Sequence, residues 1–319
     1  MPNLGEVVSV NISEEKGVPK KPVPSIDLEA DGIAGDAHAG LWHRQVSLLA
    51  RERIDEFTAK MGREVQHGEF AENITTRGLD LRHVAPLDHI HIGEVDLEVT
   101  QIGKVCHGDT CAIYREVGKC LMPEEGIFCR VRTGGRVQQG DDVRHLARRL
   151  TVHIVTLSDR ATAGVYEDRS GPRAVELVES FFADKRWRLA IEGALIPDDA
   201  DQLRDIIESA RHQGPDIILT LGSTGVGPRD IAPDVIAASC DKLIPGITEH
   251  IRAKFGADKP AARLSRSVAG VIGTTQVYTL PGSVRAVQEY LGEILPTVEH
   301  ILFMLHGIDM HEQAPVSSA

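Results

Sequence analysis

The chain has 319 residues, 42% hydrophobic and 26% charged, with a formal net charge of −12. That length predicts two domains, each large enough to bury its own core. Neither half has the basic excess of a nucleic-acid binder. No apolar run approaches the roughly 20 residues that span a bilayer, and the first residues lack a basic-then-apolar leader pattern. A cytoplasmic protein acting on small molecules is therefore expected, with no nucleic acid and no membrane as partner.

Residues 1–148 read as β-rich. Residues 7–12, VVSVNI, form a strand pattern, and KGVPKKPVPS (16–25) is a loop. The turn DGIAGDAHAG (31–40) leads into a short strand and then a helix within GLWHRQVSLLARERIDEFTAK. HIHIGEVDLEVTQI alternates apolar and polar residues and predicts two strands joined at Gly93-Glu94. GIFCRVRTGGRVQQGDDV adds strand, turn and short strand. Many short strands of this kind predict a compact β-barrel.

Two spots in this half could carry chemistry. In GDAHAGLWHRQVSLL, Asp36, His38, His43 and Arg44 either converge on an anion or metal, or decorate the surface of a turn. In GKVCHGDTCAIYREVGKC, Cys106 stands between Lys104 and His107, and neighbouring positive charge favours a thiolate. Four of the five cysteines, Cys106, Cys111, Cys120 and Cys129, are spaced Cys-x4-Cys-x8-Cys-x8-Cys. That spacing lacks the short pair common in zinc sites, and buried inert thiols are expected at Cys111, Cys120 and Cys129. An odd cysteine count argues against a disulfide framework.

GIAGDAHAG-x2-HRQVSLL, GEFAENITTRGLDL, IGEVDLEVTQIGKVCH and MPEEGIFCRV resemble, in order, the MOSC domain, named from the C-terminal domain of molybdenum-cofactor sulfurases. The resemblance covers nearly all of residues 5–145. It implies a mostly β, barrel-like fold that binds molybdenum cofactor or carries sulfur on a cysteine, with Cys106 at the matching position.

A charged stretch, Asp141 to Arg149, separates the halves, which places the second domain at 149–319. There strands and helices alternate: VHIVTL (152–157), a helix through RAVELVESFFADK, RLAIEGALI, a helix capped by Asp198 or Asp199, DIILTL, two further helices, VYTLPGS and a long apolar-faced helix. This predicts a three-layer α/β domain with a mainly parallel sheet. Ligands in such sheets bind at the C-terminal strand ends. Those ends carry Ser158-Asp159, Pro197-Asp198, Gly222 to Asp230 and Pro281-Gly282-Ser283. The central one, LTLGSTGVGPRDIAPD, runs from strand to glycine turn to helix, the pattern of a phosphate cradle, although an ordinary strand-to-helix loop reads the same way. It has no Gly-Lys-Ser/Thr ending and the first strand has no G-x-G-x-x-G, which disfavours a P-loop NTPase and a dinucleotide dehydrogenase.

SDRATAGVYEDRSGP, LIPDD, LTLGSTGVGPRDIAPD, PGITEHIR, ARLSRSVAG and LPGSVRAVQE resemble, in order, the molybdopterin adenylyltransferases of MogA/MoaB type and the G domain of gephyrin-like fusions, over residues 151–310. The resemblance implies Mg²⁺-dependent transfer of AMP from ATP to molybdopterin, with release of pyrophosphate. It puts the family's key aspartates, metal-binding and catalytic, at Asp198 and Asp230. Gly222, Ser223, Thr224, Gly225, Pro281, Gly282 and Ser283 fall on the nucleotide and phosphate side. Ser158, Asp159, Ser265 and Arg266 fall on the pterin side. The family also implies a homo-oligomer, a trimer, and contact with a molybdate-insertion protein. Two positions depart from its usual pattern: Ser223 replaces a glycine and Ala232 a threonine. Two other functions remain open: a non-catalytic molybdopterin or cofactor carrier, and a cysteine-persulfide sulfurtransferase centred on Cys106.

Overall fold

In the computed structural model, residues 3–62, 64–105, 114 and 120–310 are described. The chain folds as two units, Met1–Arg148 and Arg149–Ala319.

The first unit contains the strands β1 (Asn3–Ile12), β2 (Lys21–Val23), β3 (Ser25–Glu29), β4 (Gly32–Ile33), β5 (Val46–Ala50), β6 (Ile74–Arg77), β7 (His89–Ile92), β8 (Val95–Ile102), β9 (Ile127–Thr133), β10 (Gly135–Gln138) and β11 (Asp142–Leu146). Seven of them close a ring in the order β11-β7-β8-β9-β5-β6-β1, which β1 completes by pairing antiparallel with β11; β2 extends β1, and β10-β3-β4 form a separate small sheet. Closure follows from the alternation. Ile90, Ile92, Val95, Leu97 and Val99 all point inward and pack with Val7, Val10, Leu48, Ile74, Ile127 and Val143. Their outward neighbours are polar. One helix, α1 (Arg51–Met61), packs Ile54 and Phe57 against Leu49, Phe70 and Phe128 in a satellite core. A single turn, α2 (Met122–Glu125), precedes β9.

The second unit runs β12 (Leu150–Leu157), α3 (Asp159–Thr162), α4 (Ser170–Phe182), β13 (Leu189–Ile196), α5 (Ala200–Gln213), β14 (Ile217–Leu221), α6 (Ala232–Ser239), β15 (Lys242–Leu243), α7 (Pro245–Asp258), β16 (Ala269–Ile272), β17 (Thr275–Leu280) and α8 (Val284–Leu305). Its sheet order is β13-β12-β14-β17-β16-β15. On the Val155, Ile218 and Val277 face, α5 and α6 bury Leu203, Ile207, Ala210, Val235 and Ile236. On the other face Gln276 donates from Nε2 to the Val298 carbonyl of α8 (3.0 Å), and α8 packs on α4.

The sheet is mixed, with three parallel pairings and two antiparallel ones at one edge. The pairs among β13, β12, β14 and β17 are parallel, whereas β16–β17 and β15–β16 are antiparallel. Gly273 and Thr274 alone separate β16 from β17, and so short a turn can join only antiparallel neighbours. Among the described residues, no helix is long and apolar enough to cross a membrane.

Candidate functional site

All five residues of β14 are buried, and the chain leaves the sheet at Gly222. Gly222 has φ +107°, and a Cβ there would lie 2.3 Å from the Leu157 carbonyl oxygen of β12. A Cβ on Gly282, just after β17, would meet the Gly222 Cα at 3.1 Å. Three strand ends therefore converge with no room for side chains between them. Ser223 follows in the left-handed region, φ +56°, which costs a residue with a Cβ about 1–2 kcal/mol. Its hydroxyl offsets that cost by donating to the Arg229 carbonyl (2.8 Å) and accepting from the Ile231 N–H (2.9 Å). The serine thus closes the loop on itself.

Asp230 lies within this loop. Its carboxylate accepts from the Gly227 N–H (2.7 Å), and a Cβ on Gly225 would sit 2.7 Å from its Oδ2. The acid in the first turn of α6 is Asp234, whereas Asp230 precedes the N-cap residue Ile231. Arg266 holds the loop from the far side. It donates to the Gly225 and Asp230 carbonyls and to both Asp234 oxygens, and its own N–H reaches the Thr224 carbonyl at 2.9 Å. Ser265 bonds Ser267 through their hydroxyls at 2.7 Å.

At the neighbouring strand ends, Asp199 rather than Asp198 caps α5, accepting from the Asp201 and Gln202 N–H groups. Asp198 instead pairs with Asp159: its N–H donates to Asp159 Oδ1 (3.0 Å), and the Asp159 N–H donates to Asp198 Oδ2 (3.3 Å). Arg229 grips both Asp159 oxygens at 2.6 Å. The Asp198 N–H and then the Arg229 guanidinium hold the Asp159 carboxyl below the usual carboxylate range. Ser158 caps α3 and hydrogen-bonds the Tyr166 hydroxyl at 2.8 Å. Arg229, the chain neighbour of Asp230, thus reaches the Asp159–Asp198 pair, and neither Asp198 nor Asp230 belongs to a group of three metal-ligating side chains among the described residues.

Two clefts open here. One, of about 310 Å³, is bordered by Thr224, Gly225, Ser265, Pro281 and Ser283. The other, of about 230 Å³, is bordered by Ser158, Tyr166, Asp168, Gly282 and Ser283. Ser283, the N-cap of α8, belongs to both.

In the barrel, Asp36 is buried and accepts from the Lys20 ammonium and from the N–H groups of Ser13 (3.1 Å), His38 (2.9 Å) and Asn73 Nδ2 (3.1 Å). Burial opposes its ionisation, but hydrogen bonds from His38 and Lys20 outweigh it and hold the carboxyl well below its usual range. Burial lowers Lys20 and His38, and the Lys104 charge adds to both effects. Glu72, fully buried nearby, is pushed up to about 6 by burial; its Oε1 accepts from the Gly68 N–H (2.7 Å) and Thr75 hydroxyl (3.1 Å), while Oε2 makes no hydrogen bond among the described residues. His38 stacks on Trp42, and Arg44 lies over the same ring, 4.9 Å from its centroid, with His43 at its edge.

Residues 153–300 match the family model described as "Probable molybdopterin binding domain", and residues 35–144 match that of the MOSC domain. A molybdopterin adenylyltransferase of Helicobacter pylori is 31% identical over 160 residues, which cover 49% of this chain and 89% of that protein. The chain belongs to the molybdopterin-binding family. It carries a MOSC domain ahead of the family domain. A molybdenum cofactor biosynthesis bifunctional protein of Synechococcus elongatus is 35% identical, and a Dictyostelium discoideum gephyrin 32%, each over 49% of this chain. The match spans 47% and 22% of those longer proteins. A solved structure of MogA, at 32% identity, covers 49% of this chain and 99% of its own with a TM-score of 0.45.

Within the family domain, Ser158, Asp159, Asp198, Gly222 to Gly225, Asp230 and Pro281 to Ser283 follow the ends of β12, β13, β14 and β17, whereas Ser265 and Arg266 lie on the segment before β16, from which Arg266 bonds Thr224 and Gly225. Arg229 and Asp168 escaped sequence reading. Arg229 stood beside Asp230 as a clue, but its partner Asp159 is 70 residues away. In the MOSC domain, Asp36 and His38 form one network with Lys20, a residue read as loop. Cys106 and Cys111 lie outside the described residues. Cys129 is fully buried, and burial raises its thiol far above the usual range, whereas Cys120 is half-buried rather than buried.

Proposed function

We propose that the family domain is a molybdopterin adenylyltransferase, transferring AMP from ATP to the terminal phosphate of molybdopterin and releasing pyrophosphate. The observation that carries this is that Asp198 is not the N-cap of α5 and Asp230 is not the first-turn acid of α6. Asp199 caps α5 and Asp234 supplies the acid of α6, which leaves two carboxylates beside a glycine loop built to approach an anion. The names of the relatives point to the same reaction.

In this reading Gly222 to Gly225 present backbone N–H groups to the nucleotide phosphates, and Pro281 to Ser283 line the nucleotide side. Asp198 and Asp230 offer hard oxygen donors of the kind Mg²⁺ takes, and the ion would neutralise phosphate charge. Ser158, Asp159 and Ser265 face the pterin. Arg266 acts as a positioning residue, because its guanidinium is spent on the loop carbonyls. Catalysis then consists of holding two phosphates in line within a fixed electrostatic frame.

Cys106 of the MOSC domain would receive a cofactor or carry sulfur. Asp230→Asn and Asp198→Asn proteins are expected to lose at least about 100-fold in kcat, the scale of removing one preorganised electrostatic group, with the melting temperature nearly unchanged. Wild-type turnover in either variant refutes the assignment.

A further inference from the structure

The β7–β8 hairpin joins three side chains of metal-ligand chemistry that neither the glycine loop nor the Asp36 network uses. His89 and His91 lie two residues apart on β7 and so project from one face of the strand. β8 runs antiparallel to it, with Asp96 opposite His91 and Glu98 opposite His89. The alternate residues, Ile90, Ile92, Val95 and Leu97, are locked in the barrel core. That packing fixes the outward face on which the three polar side chains stand. β8 also slips register against β9 between Asp96 and Leu97, an irregularity of the kind that re-aims a side chain out of the regular pleat.

Asp96 Oδ1 lies 2.7 Å from His89 Nδ1 and 3.3 Å from His91 Nε2. One ligand atom from each residue falls within 4.8 Å of the other two, and among the described residues no other group of three or more His, Cys, Asp or Glu is so arranged. The side chains are partly exposed, at 36%, 40% and 23%, so an ion can reach them without opening the barrel.

Two imidazoles and one carboxylate favour a borderline divalent ion of the Zn²⁺ type. Mg²⁺ and Ca²⁺ prefer all-oxygen sets. Glu98, the adjacent carboxylate, is engaged by Arg130 (3.0 Å) and Arg132 (3.3 Å), so the fourth position falls to water. Arg144, opposite His91 on β11, is exposed and can point into solvent. We propose that His89, His91 and Asp96 bind one divalent transition-metal ion, Zn²⁺ or an ion of similar preference, and clamp the β7–β8 hairpin. Sites on strands hold such geometry better than sites on loops.

The test uses the full chain stripped of metal, titrated with ZnCl₂ by calorimetry and assayed for bound zinc after dialysis. Wild type is compared with Asp96→Asn, His91→Asn and, as a control at an exposed histidine, His83→Asn. Circular dichroism checks each fold, and His89→Gln replaces any variant that fails it. Wild type and His83→Asn should hold one more equivalent than the hairpin variants, or bind it at least about tenfold more tightly, the scale seen when a metal site loses support. Equal stoichiometry and affinity in all four proteins overturns the site and shows the cluster to be a plain imidazole–carboxylate network. Zinc held elsewhere, by the cysteines for instance, cancels in the comparison.

Discussion

At the scale of single residues, two positions carry sharp predictions. Ser223 is the one place in the glycine loop where a side chain occupies left-handed backbone, and its hydroxyl makes two bonds that close the loop. Ser223→Ala keeps the strain and loses the bonds; Ser223→Gly loses both. The alanine protein should therefore be the less stable of the two by about 1 kcal/mol, read from urea unfolding. Equal stability would mean that the hydroxyl bonds and not the backbone strain decide the position. Glu72 is the second. Its folded pKa lies above its ordinary value, at about 6, so the charged form is the one burial penalises. Its contribution is present at low pH and is lost as pH rises from about 4.5 through about 6, by about 2 kcal/mol. The stability difference between wild type and Glu72→Gln should shift by that amount across the window, in favour of the glutamine at the higher pH.

At the scale of elements, the neighbours Asp198 and Asp199 separate structure from chemistry. Asp199→Ala removes the α5 cap and should cost about 1 kcal/mol with little change in kcat, whereas Asp198→Asn should do the reverse. Thermal melts and turnover on the same two proteins check this directly. Both aspartates read equally well as caps in the sequence, and only the hydrogen bonds of the folded loop separate them. Much else was legible locally. The alternation of Ile90 and Ile92 with His89 and His91 fixed a strand and its buried face, and the run of β14 into Gly222 marked the loop. What stayed hidden depends on distance along the chain. The pairing of β1 with β11 that closes the barrel joins residues at opposite ends of the unit. The short strands β15 and β16 are two and four residues long and carry too little pattern to be read. Lys20 joined Asp36, and Arg229 joined Asp159, only once the chain had folded.

At the scale of the whole molecule, each compact unit contains one family match. The proposed chemistry is divided in the same way. Cys106→Ser in the full chain should abolish any sulfur transfer by the MOSC domain and leave AMP transfer unchanged, because every residue assigned to AMP transfer lies beyond Arg148. A protein that lost both activities together would show the two domains to act as one catalytic unit.

The central claim is that the loop from Gly222 to Asp230 serves AMP transfer. It is tested most directly by incubating the purified full chain with molybdopterin, ATP and Mg²⁺ and reading the pterin by mass. The account predicts adenylylated molybdopterin with one pyrophosphate released per product, and none from Asp230→Asn. Molybdopterin that binds but returns unmodified, whether or not ATP and Mg²⁺ are supplied, would contradict it and leave the domain as a carrier.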